Sequence, residues 1–144
     1  MTGLDQAGRD PLHYAANNND ADGVRERLAA GVDVNLTETR SHYTPLHFAV
    51  QDGAVDAARV LLDAGADVQA VCTPGVSPLH LAVIRWRQSP EGAMIKLLLE
   101  RGADKTALET NGRTPAEICQ GQLGFPDELA AVLQPGPIPP STST

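Results

Sequence analysis

The chain has 144 residues, 42% of them hydrophobic and only 3% aromatic, and carries a formal net charge of −7. That length holds one domain, and the scarcity of aromatics leaves leucine, valine and alanine to build its core. The acidic balance argues against nucleic acid or an anionic membrane as partner, since either needs a basic face, and favours a basic protein.

The first predicted helix begins at Pro11-Leu12-His13-Tyr14-Ala15, capped by Asp10, and leaves through the turn Asn17-Asn18-Asn19. A second helix, about Asp22 to Ala29, carries Asp22, Arg25, Glu26 and Arg27 and has little but Val24, Leu28 and alanines for the core. Thr44 then caps another helix, with Pro45 at its first position, where a missing N–H is no loss. Leu46, Ala49 and Val50 form its apolar face, and Asp52-Gly53 interrupts it. The partner helix runs from about Val55 to Asp63, with Val55, Ala58, Leu61 and Leu62 inward and Asp56, Arg59 and Asp63 outward. Gly65 is its left-handed stop. Ser77-Pro78-Leu79-His80-Leu81-Ala82 restates the first helix of that unit, and Ala93, Met94, Ile95 and Leu97 to Leu99 make the most apolar outer helix. Thr114-Pro115-Ala116-Glu117 opens the last unit with a capping box, and Pro126 starts a final helix through about Leu133.

The units repeat. Pro11, Pro45, Pro78 and Pro115 are 34, 33 and 37 residues apart, and Gly31, Gly65 and Gly102 are 34 and 37 apart. With a period near 33 and a recurring T-P-L-H-x-A core, the sequence from about Asp5 to Leu133 closely resembles the ankyrin repeat. The resemblance implies an all-α ankyrin-repeat solenoid of four helix-turn-helix units with hairpin-like finger loops, whose concave face binds other proteins. The units fall at about 5-35, 36-69, 70-105 and 106-134 of a single domain over 1-134, followed by a disordered Pro/Ser/Thr tail over 135-144. That tail reads as a frayed end or as a proline-rich ligand. The polar first unit suits an end cap. By the same resemblance, Gly8, Gly75 and Gly112 occupy a finger position of positive φ, and His42 stands there in the second finger.

Two units depart from the pattern. Gly31 to Pro45 spans 14 residues where Gly65 to Pro78 and Gly102 to Pro115 each span 13, so the finger Thr39-Arg40-Ser41-His42-Tyr43-Thr44 has gained one residue. It reads either as tolerated loop variation or as a selected contact surface. Pro78 to Gly102 spans 24 residues where the two earlier units span 20, and the added length contains Arg85-Trp86-Arg87. An exposed Trp between arginines would suit an interface anchor. The alternative is that Trp86 folds over Leu81 or Met94 and patches a thin core.

Chemistry is sparse. Equivalent side chains on successive stacked helices lie about 8–10 Å apart, so His13, His47 and His80 cannot converge on one metal. Each is expected to hydrogen-bond turn groups and pin its finger, a role the resemblance also implies. Cys72 and Cys119 sit in different units without an activating base and read as free thiols. No phosphate-binding glycine motif is present. No catalytic residue, cofactor or metal is expected, and the chain does not read as an enzyme.

With neither a secretory signal nor an apolar run long enough for a membrane span, a soluble, cytoplasmic, monomeric protein is expected. Its function reads as occlusion of a partner protein, of inhibitor or toxin-immunity type, with a generic adaptor or bridging subunit as the alternative. The expected partner-binding residues are Arg40, His42 and Tyr43 on the second finger, Gln51 and Asp52 at the end of its helix, Arg85, Trp86 and Arg87 in the insertion, and Asn111 and Arg113 on the last finger.

Overall fold

A computed structural model describes residues 8–72, 75–89 and 92–134. The tail, to which the reading of disorder applies, and Asp5 to Ala7 of the first finger lie outside them. Among the described residues the helices are α1 Pro11–Asn17, α2 Ala21–Ala29, α3 Pro45–Gln51, α4 Val55–Asp63, α5 Pro78–Ile84, α6 Ala93–Glu100, α7 Pro115–Gln120 and α8 Asp127–Leu133, with a 3-10 turn at Trp86–Gln88. They form paired helix-turn-helix units. The inner helices α1, α3, α5 and α7 pack each on the next, α2, α4 and α6 form an outer layer, and each inner helix meets its own outer partner.

Local chemistry sets the starts of the inner layer. All four inner helices begin with Pro behind a capping side chain: Asp10, Thr44, Ser77 and Thr114. Leu12, Leu46 and Leu79, at equivalent positions, are fully buried, and Val24, Ala58, Leu61, Ile95 and Leu98 complete the seam with the outer layer. One inward residue of α4 differs from expectation. Ala57 is fully buried while Val55 and Leu62 are only half-buried. The backbone N–H of Ala57 donates to the Asn19 side chain of the preceding unit at 3.0 Å, which ties this turn of α4 to its neighbour.

The first unit is less water-facing than its composition suggests. Arg27 turns inward and grips the Asp10 carboxylate with two bonds, Nε to Oδ1 at 3.1 Å and Nη2 to Oδ2 at 3.0 Å. Burial opposes the Asp10 charge, but Arg27 and the Leu12 N–H outweigh it and hold the carboxyl below its ordinary range. A buried acidic cap thus tolerates its charge because α2 supplies the counter-ion.

Candidate protein-binding site

The fingers are tied to the helices by the repeated histidines. Nδ1 of His13 accepts from the Asp10 N–H at 3.0 Å, and Nε2–H donates to the Leu36 carbonyl at 2.8 Å. His47 accepts from the Thr44 N–H at 3.2 Å and donates to Val76 O at 3.0 Å, and His80 donates to Ala107 O at 3.0 Å and Arg113 O at 3.2 Å. Each ring pins its own cap and also reaches the finger region of the next unit, so the histidines staple repeats together. Burial pushes the His47 imidazole below its ordinary range.

A second set of pins, acidic and invisible to helical periodicity, holds the fingers from inside. The Glu38 N–H donates to Tyr43 O at 3.0 Å, and the Glu109 N–H donates to Arg113 O at 2.9 Å. Cys72 makes the equivalent bond to Val76 O at 3.2 Å. Glu38 spans one residue more than the other two, which locates the extra residue of the second finger inside this closure. The buried Glu38 carboxylate accepts from the backbone N–H groups of Arg40 and Ser41, with the Arg9 Nε 3.8 Å away. Burial opposes its charge, but those donors, the Tyr43 N–H and Arg9 prevail and keep its carboxyl low. Glu109 is held the same way, by Arg113 and by the Asn111 N–H at 2.9 Å. An acid before the turn of the second and the last finger, at Glu38 and Glu109, was the signal for this role, with Cys72 at that place in the third.

The second finger therefore stands on a fixed base with its tip outward. Arg40 and His42 are exposed, and His42 has φ of 57°, the left-handed conformation the glycines take elsewhere. Tyr43 is half-buried, its ring 5.2 Å from His47 and 5.3 Å from Phe48. Beside it lies a cleft of about 200 Å³ lined by Arg9, Glu38, Ser41, Tyr43, Phe48 and Gln51. The Arg9 guanidinium lies 5.2 Å from the centre of the Phe48 ring. From the next unit, Arg85 Nε donates to the Gln51 carbonyl at 3.2 Å, and its charge acts on the Tyr43 hydroxyl. Burial nonetheless raises the Tyr43 hydroxyl above its ordinary range. Of the expected contact residues, Tyr43 and Gln51 line this cleft, Arg85 is tied to the Gln51 carbonyl, Arg40 and His42 are exposed on the same finger, and exposed Asp52 caps α3 next to Gln51. Arg9 and Phe48 belong to the site and were not expected there.

Trp86 belongs elsewhere. Its indole is half-buried, packs against the core and lies edge-on to Phe125 of the last unit at 5.4 Å between ring centres. Arg87 lies 4.5 Å over the indole and donates to Leu123 O at 2.6 Å. On the other side, a β-carbon added to Gly53 would fall 2.1 Å from the Gln88 carbonyl, so the insertion lies directly on the second unit. Added length between helices has become a strut joining units two and four, and the freely exposed anchor gives way to this bracing role. Asn111 and Arg113, though exposed, direct their polar groups to Glu109.

Charge is sorted by layer. Asp22 and Glu26 on α2, Asp56 and Asp63 on α4, Glu100 on α6, and Asp127 and Glu128 on α8 are exposed on outer helices. Outer arginines pair with this set, Arg25 with Asp22, Arg59 with Asp56 and Arg101 with Asp63. On the inner helices and at the finger turns the exposed carboxylates among the described residues are Asp52 and Glu117, against exposed Arg40, Arg85, Arg87 and Arg113, while Asp20, Asp33, Asp67 and Asp104 are exposed in the connecting loops. The net charge, which taken alone favours a basic partner, is thus spread over the outer helices and the loops.

Two family models cover most of the chain: one described as ankyrin repeats (3 copies) matches residues 2–72, and the single ankyrin repeat matches residues 75–109. The protein belongs to the ankyrin-repeat family. Ankyrin repeats are protein–protein interaction modules. No curated protein matches the chain. No helix among the described residues is long and apolar enough to cross a membrane.

Proposed function

We propose that the protein acts by occluding a partner protein, as an inhibitor or toxin-immunity factor, which it holds on the face formed by the fingers and inner helices. One observation carries this reading. Tyr43 and Gln51 line one open cleft beside a finger whose base is pinned by a buried carboxylate, and Arg85 of the next unit donates to the Gln51 carbonyl. A rigid base with a half-buried aromatic and an adjacent arginine is the arrangement that concentrates binding energy. Because the fixed finger loses little freedom on binding, more of the contact energy remains as affinity.

The test pairs capture with activity. Wild type and the Tyr43→Ala and Gln51→Ala variants, each immobilised, are exposed to extract of the native host, and the captured protein is assayed free and bound. The reading expects a specific partner, weakened about tenfold or more by Tyr43→Ala, whose activity falls on binding. A partner bound equally well by both variants would remove the site. A partner that stays fully active while recruiting a third protein would replace occlusion with the adaptor role.

A further inference from the structure

We propose that the occupant of this cleft is an acidic segment of the partner, a stretch of aspartate and glutamate, despite the acidic charge of the chain as a whole. The inference deepens the proposed function and rests on it for the face but not for the chemistry. Recognition at close range follows the local sign of the surface, because charges beyond a Debye length of about 8–10 Å are largely screened. Three arginines lie at or beside the cleft: Arg9 in its lining, exposed Arg40 next in sequence to the lining residue Ser41, and exposed Arg85, whose Nε donates to the carbonyl of the lining residue Gln51.

The carboxylates nearby do not offset them equally. Glu38 is buried, and its oxygens are directed to the backbone N–H groups of Arg40 and Ser41 and to Arg9, so it offers an incoming group almost no surface. Asp52 is the exposed acid at this edge. The arginines of the outer layer, Arg25, Arg59 and Arg101, each lie against a carboxylate, whereas among the described residues no carboxylate forms an ion pair with Arg40 or Arg85. Guanidinium groups fit carboxylates in a planar, two-pronged geometry. The acidic outer layer would repel the same segment, so the occupant is directed to the finger face by exclusion as well as attraction.

The probe is a fluorescein-labelled Glu/Asp-rich peptide of about a dozen residues, with a Lys-rich peptide of equal length as its counterpart. Both are titrated by anisotropy at an ionic strength of about 0.1 M, where the Debye length is about 10 Å, against wild type, the Arg40→Glu/Arg85→Glu double variant and the outer-layer Asp56→Lys/Glu100→Lys double variant. The acidic peptide should bind wild type, weaken about tenfold or more with the finger-face variant, and weaken with added salt, while the outer-layer variant does not weaken it. Arg40→Gln/Arg85→Gln, which only removes charge, should give an intermediate loss, and its far-ultraviolet circular dichroism guards against misfolding. Acidic peptide bound equally by the finger-face variants and wild type overturns the inference, as does no binding at all. A captured partner that needs Tyr43 yet binds the Arg40→Glu/Arg85→Glu protein undiminished overturns the acidic occupant and leaves the finger-face reading standing. A captured partner indifferent to Tyr43 and Gln51 overturns that reading instead.

Discussion

The second finger and the insertion after α5 both add chain to the repeat, and they do opposite things with it. The insertion has neighbours on both sides. Arg85 and the Gln88 carbonyl meet the second unit, and Trp86 and Arg87 meet the fourth. The finger closes on itself through Glu38 and Tyr43, and its added residue sends Arg40 and His42 into solvent. Extra length becomes framework where adjacent repeats lie within reach and becomes surface where they do not. A quasi-one-dimensional array, in which each repeat contacts only its neighbours, makes that difference sharp.

The sharpest way to break this contrast is Gly53→Ala. At φ of 67° a side chain is already strained, and here its β-carbon would also collide with the Gln88 carbonyl, so a loss of about 3 kcal/mol or more is expected. Gly65→Ala provides the control. Its φ is 95° but no atom lies within 4 Å of the added carbon, so only the conformational strain, about 1–2 kcal/mol, should appear. Equal denaturant midpoints for the two variants would mean that the insertion does not bear on the second unit. Trp86→Ala should come next, at roughly 2 kcal/mol for a half-buried indole. Emission from this lone tryptophan should be blue-shifted from free indole and only partly quenched by iodide; full quenching would return it to the solvent.

The sequence revealed the array because its signals are local and repeated: Pro behind a cap, His three residues after the cap, Gly at the helix end. Those residues act within a few positions of themselves, so spacing alone places them. The second half of each histidine's role was not legible, since the Val76 carbonyl that His47 meets is 29 residues away and carries no side-chain signal. Trp86 illustrates the same limit. Composition distinguishes an unusual residue, but whether Phe125 stands beside it depends on the rise and rotation of the following repeat. Of the proposed contact residues, Tyr43 and Arg85 stood out as departures from the pattern, whereas Gln51, Arg9 and Phe48 occupy ordinary repeat positions and come to the cleft only by stacking. A total charge likewise does not say where on the surface each sign lies.

Acidification should test the pinned base of the finger against its tip. The His47 imidazole is held low in the fold, so its unfolded form binds the first protons as pH falls below about 6.5, and stability declines over that interval. Glu38 is also held low, and its contribution, present above its unfolded range, is lost only as pH falls through its folded value. Urea midpoints measured from pH 7.5 downward should therefore fall first through His47, and His47→Gln should be less steep than wild type between about pH 6.5 and 5. Identical slopes in the two proteins would assign the early decline to other groups. At fixed neutral pH, Glu38→Ala should cost about 1–3 kcal/mol by leaving the Arg40 and Ser41 N–H groups without their acceptor.

The smallest effect is expected at His42, where the finger's backbone and its side chain can be separated. Glycine removes the cost of holding a β-carbon at φ of 57°, about 1–2 kcal/mol in general but smaller for His, and restores chain freedom to the unfolded state, worth roughly 0.5–1 kcal/mol in the other direction. The two terms nearly cancel, so the urea midpoint of His42→Gly should match wild type within experimental scatter, whereas His42→Val, β-branched in a left-handed turn, should be plainly less stable. With backbone and stability conserved, any weakening of the acidic peptide by His42→Gly is then due to the imidazole itself. A His42→Gly protein that is much less stable than wild type would instead make the imidazole a structural element of the finger, and the line between pinned base and exposed tip would have to be drawn beyond residue 42.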